Sequence, residues 1–232
     1  VISTVAKVFL KDGYRVLGVH EGYKTIFTDS PSFEDIDFEK ADKISNQGGS
    51  ALVMSRYKPK DEEFNNKFFK DYNIKLLVTV GGDDTASTAG RISKYLREHD
   101  VPIQNIHVPK TIDNDIYLVS RSFGFDTAVE VSTQAIIGAH NEALGYPNGI
   151  GLIKLMGRHS GFIAATATLA QEDVNFVLIP EVDFDLNGPD GFLSALEARL
   201  ASRGHAVVVV AEGAGQRYFE NIAEDERDES GN

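Results

Sequence analysis

Two polar segments of the chain directly follow apolar runs. Gly81–Thr85 reads Gly-Gly-Asp-Asp-Thr, and Pro109–Asp115 reads Pro-Lys-Thr-Ile-Asp-Asn-Asp. In an open α/β sheet ligands bind at the carboxyl ends of strands, so both segments stand where a site is expected. Several carboxylates and a lysine suit a divalent metal that holds a phosphorylated substrate, with one carboxylate left to act as a base. The two segments therefore predict phosphoryl transfer.

The second segment contains the candidate catalytic base. Thr111, Asp113 and Asp115 stand at every second position, so in an extended segment all three would face the same side. Asp113 could accept a proton from a sugar hydroxyl while Thr111 hydrogen-bonds a transferring phosphoryl oxygen. Neighbouring carboxylates need a cation to remain ionised at neutral pH, and Lys110 or Mg²⁺ could provide it.

Three more polar segments follow apolar runs, at Met156–Ser160, Pro180–Asp183 and Glu212–Gln216. Any one of these segments alone could be structural: Asp84 or Thr85 could cap a helix, and Gly157 or Gly213 could serve a tight turn. Several such segments at one edge of a sheet, with cationic and acidic residues among them, favour a site instead.

The spacing of apolar residues predicts the elements that must position these segments. Strand-like runs occur at Val16–His20, Lys75–Val80, Asn105–Val108, Ile150–Leu155, Phe176–Ile179 and Ala206–Val210. Helical spacing follows residue 85, extends from about Asp126 to Leu144, and recurs after residue 190. Strands that alternate with helices predict an α/β fold with mostly parallel sheets covered by helices. Val1–Val8 resembles a helix already under way, so we expect a fragment of a longer chain.

Composition narrows the class of protein. The 232 residues are 42% hydrophobic, which is enough for one large or two small domains. The absence of cysteine excludes disulfides and cysteine-based metal sites. The net charge of −12 argues against nucleic-acid binding, and no apolar run approaches the roughly 18 residues of a membrane span. A cytoplasmic protein is expected, with Glu224–Glu229 as a solvated acidic tail.

The polar segments, taken in order, resemble the successive signatures of the 6-phosphofructokinase family. These are Gly81–Thr85, Pro109–Asp115, Met156–Arg158, Pro180–Val182 and Glu212–Gly213. Their order and spacing agree from Val1 to about Gln216. The resemblance implies a phosphofructokinase-like fold of two lobes, with a phosphoryl-donor lobe at residues 1–124. Residues 125–232 would form the fructose 6-phosphate lobe, with an acidic tail from about residue 220. It also implies Mg²⁺ as cofactor and a homodimer or higher oligomer.

The resemblance assigns acceptor-side roles. Asp113 would take the proton from the 1-hydroxyl of fructose 6-phosphate, and Thr111 would support the transferring phosphoryl group. Arg158 would stabilise charge on the phosphoryl group or the sugar phosphate. Met156 and Gly157 would line the sugar pocket, and Glu212 would hydrogen-bond the sugar. The family's later sugar-phosphate arginines and histidine have no counterpart in this sequence.

On the donor side, the resemblance places magnesium at Asp83 and Asp115 and brings Arg56 towards the phosphoryl donor, beside Gly82. ATP-using relatives typically have glycine at the position of Asp84, where a carboxylate crowds and repels the α-phosphate. The pyrophosphate-dependent branch resembles this chain there and also has lysine at the position of Lys110. Pyrophosphate is therefore the expected donor.

Three alternatives remain open on the sequence. An ATP-dependent enzyme of the same family would need Asp84 to turn aside. A non-catalytic regulatory subunit would bind sugar phosphate without turnover. A sugar-binding protein of similar α/β build would not need Asp83, Asp113 and Asp115 together.

Overall fold

A computed structural model describes residues 1–101 and 103–218 of the chain. The chain divides after Pro109 into two compact units, which we call unit 1 (residues 1–109) and unit 2 (residues 110–232). The boundary that the sequence analysis set at residue 124 separated a donor lobe from a sugar lobe by their expected functions. That functional assignment stays a prediction. The predicted acidic tail lies outside the described residues.

Unit 1 combines a parallel strand pair with a separate antiparallel pair. Its elements are α1 (Ile2–Lys11), β1 (Val16–Val19), α2 (Tyr23–Ile26), β2 (Phe33–Ile36), α3 (Phe38–Ile44), a 3₁₀ turn (Asp61–Glu63), α4 (Lys67–Asp71), β3 (Leu76–Gly81), α5 (Asp83–Glu98) and most of β4 (Gln104–Thr111). β3 and β4 are parallel, with Gly81 opposite Pro109. β1 and β2 are antiparallel, which the prediction of mostly parallel sheets allows.

Helix α5 places the Gly81–Thr85 segment at the end of β3. Ala89, Ile92 and Leu96 recur at helical spacing, and all three are buried. The last two pack in a core rich in phenylalanine, with Ile26, Phe64, Phe68, Phe69 and Val101. Burial of this stripe fixes α5 against the rest of unit 1. The amino end of α5 therefore follows directly from the carboxyl end of β3.

Unit 2 contains a parallel sheet with the strand order β6-β8-β7. Its elements are the end of β4, β5 (Phe123–Gly124), α6 (Phe125–Leu144), β6 (Gly149–Leu155), α7 (Phe162–Ala170), β7 (Phe176–Leu178), α8 (Phe192–Arg203), β8 (His205–Ala211) and a 3₁₀ turn (Gln216–Tyr218). Leu155 lies opposite Ala211, and Leu178 lies opposite Val210. The segments that follow β6, β7 and β8 therefore leave the sheet at the same edge.

The central strand β8 explains how this sheet is held. Ala206, Val207, Val208 and Val209 are fully buried, as is usual for a parallel strand covered on both faces. Ile136 of α6 and Ile163 of α7 join the same core. The polar segments thus emerge from a rigid scaffold.

The six predicted strands are confirmed within a few residues, and so are the helices at α1, α5, α6 and α8. The predicted strand at Asn105–Val108 is too short, because β4 continues to Thr111. Lys110 and Thr111 therefore lie within a strand rather than after one. Among the described residues, no helix is both long and apolar enough to cross a membrane.

Candidate active site

The segment after β4 turns sharply, so the expectation that Thr111, Asp113 and Asp115 share one side of an extended segment is wrong. Asn114 has a left-handed backbone with φ 56°. Thr111 Oγ1 accepts a hydrogen bond from the backbone amide of Asp113 at 3.1 Å and donates one to Asp113 Oδ2 at 3.2 Å. A local turn therefore brings threonine and carboxylate together. We call Thr111–Asp115 the base turn.

Two residues outside the predicted set hold the base turn closed. Asn114 Oδ1 accepts a hydrogen bond from the Ser122 amide at 2.8 Å, and Asn114 Nδ2 donates to the Ser120 carbonyl at 3.3 Å. The buried Ser122 hydroxyl donates to the Thr111 carbonyl at 2.7 Å. Asparagine tolerates the left-handed conformation because its short side chain hydrogen-bonds locally. The feature of the sequence that could have indicated this turn is therefore the pair Asn114-Asp115.

The turn after β6 presents Arg158. Gly157 has φ 145° and Arg158 has φ 53°, so their two successive amides converge on one point. Both amides donate to Glu212 Oε1, at 3.0 Å from Gly157 and 2.6 Å from Arg158. A side chain at Gly157 would place Cβ 2.5 Å from the Ser160 carbonyl oxygen, which only glycine avoids. Glu212 thus stabilises the turn at Gly157 and Arg158, which we call the arginine turn. The contact of Glu212 with the sugar stays a prediction.

Ser160 joins the base turn to the arginine turn. It is only 6% exposed, and its hydroxyl lies 2.9 Å from the Asp113 carbonyl oxygen and 3.1 Å from the Gly157 carbonyl oxygen. A single serine gave no sequence signal for this role, because the link depends on tertiary contact. Nearby, Glu181 Oε1 accepts a hydrogen bond from the Gly161 amide at 2.8 Å, at the start of α7.

The electrostatics of the base turn suit a proton acceptor. Partial burial raises the pKa of the Asp113 carboxyl, and the negative charges of Asp115 and Glu212 raise it further. The Thr111 hydrogen bond and the Arg158 charge oppose that rise without cancelling it. A carboxylate with a raised pKa is a better general base than an ordinary aspartate.

In unit 1, the first turn of α5 carries two exposed aspartates. Gly82 is the N-cap and the helix begins at Asp83, so the alternative in which Asp84 or Thr85 caps the helix is wrong. Asp84 Oδ2 forms an ion pair with Lys58 Nζ at 2.9 Å. A Cβ at Gly81 would lie 2.3 Å from Thr85 Oγ1, so this close approach requires glycine. We call Gly81–Thr85 the donor turn, after its predicted role.

Neutral hydrogen bonds support the donor turn from beneath. The buried Thr79 hydroxyl lies 2.9 Å from His107 Nδ1, and His107 Nε2 lies 3.1 Å from the Gly81 carbonyl oxygen. His107 can donate from Nε2 to Gly81 while Nδ1 accepts from Thr79. Burial lowers the pKa of His107, which favours this neutral ring. Sequence reasoning missed Thr79 and His107, since a strand interior resembles any core.

Tyr23 anchors the same turn from α2. Its hydroxyl donates to the Thr85 carbonyl at 2.9 Å, and burial raises the pKa of Tyr23 to about 12. Arg56 and Lys110 are exposed, and their donor roles stay predictions.

Asp83 and Asp115 are each the kind of residue that can bind Mg²⁺, and a magnesium role for either one stays a prediction. Within residues 1–101 and 103–218, no group of three or more histidine, aspartate or glutamate side chains could hold a metal by itself. Mg²⁺ usually keeps several waters and binds through one or two carboxylates plus substrate phosphates. Asp83 and Asp115 are exposed single carboxylates of that kind. A cation near Asp115 would also relieve the repulsion that raises the pKa of Asp113.

Comparison with known proteins shows the family to which the chain belongs. The phosphofructokinase family model matches residues 1–231, and the chain belongs to the phosphofructokinase family. It is 42% identical to an ATP-dependent 6-phosphofructokinase of Borreliella burgdorferi, over 100% of this chain and 53% of the relative. It is 40% identical to ATP-dependent 6-phosphofructokinase 1 of Arabidopsis thaliana, over 94% and 46%. The chain thus spans about half the length of these relatives.

Solved structures give the same fold. Phosphofructokinase from Saccharomyces cerevisiae superposes with a TM-score of 0.77 at 21% identity, over 92% of this chain and 31% of that one. A pyrophosphate-dependent phosphofructokinase from Marinobacter aquaeolei superposes with a TM-score of 0.59 at 29% identity, over 72% and 43%. The α/β phosphofructokinase fold predicted from the sequence is confirmed.

Proposed function

We propose that this chain carries out reversible, magnesium-dependent phosphoryl transfer from pyrophosphate to the 1-hydroxyl of fructose 6-phosphate. The products are fructose 1,6-bisphosphate and phosphate. The observation that carries the choice of donor is the exposed carboxylate of Asp84, in the first turn of α5 directly after β3. Family membership and the base turn support the acceptor chemistry.

Asp113 is the base in this proposal. The proton of the 1-hydroxyl passes to the Asp113 carboxylate as the sugar oxygen forms its bond to phosphorus. The bond from that phosphorus to the bridging oxygen of pyrophosphate breaks, and phosphate leaves. Such a transfer needs positioning and charge stabilisation rather than covalent protein chemistry.

The remaining residues orient and stabilise the reactants. Thr111 donates its hydroxyl proton to the Asp113 carboxylate and would turn that proton to a phosphoryl oxygen when the donor binds, while Arg158 supplies a positive charge from its left-handed turn. Met156, Gly157 and Glu212 bind the sugar. Asp83 and Asp115 would each offer a carboxylate oxygen to Mg²⁺, which would supply positive charge to offset that of the phosphate oxygens.

Donor choice rests on size and charge beside Asp84. A nucleotide donor adds an α-phosphate and a nucleoside, and a carboxylate close to that phosphate both fills space and repels. Pyrophosphate lacks this group. Gly82, Lys110 and Arg56 complete the proposed donor set, in which the two cationic side chains would bind the phosphates.

ATP is the second candidate donor, and two observations favour it. The relatives from Borreliella burgdorferi and Arabidopsis thaliana are both named ATP-dependent. The ion pair with Lys58 neutralises Asp84, which reduces its repulsion of an α-phosphate. The Marinobacter aquaeolei neighbour, named pyrophosphate-dependent, supports the first candidate.

The donor is tested on the full-length protein with fructose 6-phosphate and Mg²⁺, by comparison of initial rates with pyrophosphate and with ATP. Turnover with pyrophosphate alone supports the proposal, and Asp84→Gly should then admit ATP. Turnover with ATP alone overturns the donor assignment but leaves the role of Asp113 in place. Binding of fructose 6-phosphate without turnover by either donor supports the regulatory-subunit alternative.

A further inference from the structure

Lys58 lies outside the segments that resemble the family signatures, yet it contacts the residue on which donor choice depends. Its Nζ is 2.9 Å from Asp84 Oδ2, and the two side chains are 62% and 66% exposed. We infer that Lys58 is a positioning residue that neutralises and orients Asp84 so that the donor turn accepts an anionic phosphoryl donor. This inference rests on the proposed function.

The charges of the donor turn make such a partner necessary. The amino end of a long helix attracts phosphate, because its first amides lack intrahelical acceptors and carry the positive end of the helix dipole. Gly82 provides no side-chain cap, so these amides are not occupied by a capping side chain. Asp83 and Asp84 oppose this attraction with two negative charges. A metal at Asp83 would offset one charge, and Lys58 offsets the other.

The segment that carries Lys58 is fastened to the same helix as Asp84. Pro59 is fully buried, and its carbonyl accepts a hydrogen bond from Arg91 Nη2 of α5 at 2.9 Å. Arg91 Nε also donates to Asp61 Oδ1 at 2.8 Å. Lys58 is therefore presented by a backbone that is anchored directly after it, at Pro59 and Asp61, rather than by a freely moving loop.

An exposed ion pair contributes little to stability, so its effect should appear in ligand binding. Removal of Lys58 leaves the Asp84 carboxylate uncompensated beside the donor phosphates. Two charges a few ångströms apart interact appreciably even at the high effective dielectric constant of a protein surface. Donor affinity should fall, whereas affinity for fructose 6-phosphate and kcat should not change.

The test uses the full-length protein with Lys58→Met, Lys58→Arg, Asp84→Gly and the double variant Lys58→Met/Asp84→Gly. The dissociation constants of pyrophosphate and of ATP are measured with Mg²⁺ by calorimetry, and KM and kcat by steady-state kinetics. Lys58→Met should raise the dissociation constant of the donor by about tenfold. Lys58→Arg should retain wild-type affinity because it preserves the charge.

Dependence on Asp84 decides the inference. In the Asp84→Gly background, Lys58→Met should leave donor affinity unchanged, since no carboxylate remains to be neutralised. An equal loss in both backgrounds would mean that Lys58 binds the donor itself, which overturns the inference. Unchanged donor affinity of Lys58→Met in the wild-type background also overturns it.

Lys67→Met is the matched control, because Lys67 forms an exposed ion pair of the same length, 2.9 Å, with Asp29. Its donor affinity should equal that of the wild type. The readout applies to whichever donor binds, so a preference for ATP would overturn the donor proposal without deciding the role of Lys58. Failure of both donors to bind overturns both.

Discussion

In unit 2, charged groups gather around a half-buried carboxylate, whereas in unit 1 the charges of the donor turn stand in solvent above a neutral network. Asp113 experiences the charges of Asp115, Glu212 and Arg158. Asp84 instead meets one exposed lysine, and the donor turn rests on hydrogen bonds from Thr79, His107 and Tyr23.

The backbones of the two turns differ in the same sense. Asn114, Gly157 and Arg158 of unit 2 have positive φ, while Gly81 and Gly82 in the donor turn do not. Strained backbone concentrates where chemistry is performed, because a tightly packed surrounding must maintain it. The contrast fits the proposed roles, in which the base turn reacts and the donor turn binds the phosphoryl donor.

The largest expected effect comes from Asp113→Asn, which removes the base and preserves the shape. We expect kcat to fall by about 10²–10⁴-fold, the usual contribution of general base catalysis. Steady-state kinetics with saturating fructose 6-phosphate measure it. Asp84→Asn, by contrast, should change the preference for the donor while retaining turnover. A loss of kcat as large in Asp84→Asn as in Asp113→Asn would remove the distinction between the two turns.

Asp113→Asn should also stabilise the protein at neutral pH. The raised pKa of Asp113 means that the native state holds this proton more tightly than the unfolded state does. Its contribution to stability is therefore complete below the unfolded pKa and is lost as pH rises through the folded pKa. Asparagine cannot ionise, so the melting temperature of Asp113→Asn should exceed that of wild type at pH 7. A lower melting temperature there would contradict the unfavourable environment assigned to Asp113.

Gly157→Ala tests the strained backbone of unit 2. At φ 145° alanine is disfavoured, and its Cβ would lie 2.5 Å from the Ser160 carbonyl oxygen. We expect a loss of about 3 kcal/mol in the free energy of unfolding, measured by urea denaturation. Gly188→Ala is the control, since φ is 98° there but no heavy atom lies within 4 Å of the added Cβ. Equal losses in the two variants would show that the close contact contributes nothing.

The sequence predicted the strands well because long apolar runs are buried on both faces, as in β8. It missed β2, whose Phe-Glu-Asp-Ile sequence is half acidic; Asp35 within it pairs with Arg15 through Oδ2 at 2.8 Å. It also missed α7, where Phe162–Ala170 lacks the polar face that reveals a surface helix.

The candidate site was predictable only where residue types carry chemistry. Carboxylates, lysine and glycine that occur in short polar segments after apolar runs indicated the base turn and the donor turn. The contacts of Ser160 with Asp113 and of His107 with Gly81 join residues 47 and 26 positions apart. Such contacts arise from the packing of strands, which no local pattern encodes. The bend at Asn114 was missed because alternation assumes a straight strand.

Asp115→Asn should sharpen the electrostatic side of the contrast. The negative charge of Asp115 helps to raise the pKa of Asp113, so its removal should lower that pKa. Because Mg²⁺ bound at Asp115 would offset that charge, the shift is measured on the metal-free protein, where the carboxyl resonance of Asp113 should titrate at lower pH by NMR. Asp126→Asn is the control, because Asp126 is an exposed carboxylate of unit 2 paired with Arg121. A shift of the same size in Asp126→Asn would indicate a general charge effect rather than a local one.

The smallest effect concerns the neutral network beneath the donor turn. Thr79→Val removes the hydroxyl from His107 Nδ1 without a change in shape, and should cost about 1–2 kcal/mol in the free energy of unfolding. Thr168→Val is the matched substitution in unit 2. Among the described residues the buried Thr168 hydroxyl has no hydrogen-bond partner, so its removal should be neutral or stabilising by up to about 1 kcal/mol.

Urea denaturation of the two valine variants distinguishes a used hydroxyl from an unused one. Because His107 also contacts the Gly81 carbonyl, Thr79→Val should in addition weaken donor binding, whereas Thr168→Val should not. Rescue is expected from Thr79→Ser, which restores the hydroxyl at the cost of one methyl group. Donor binding that survives Thr79→Val unchanged would mean that the donor turn keeps its shape without the network, and that unit 1 owes its binding geometry to α5 and Gly81 alone.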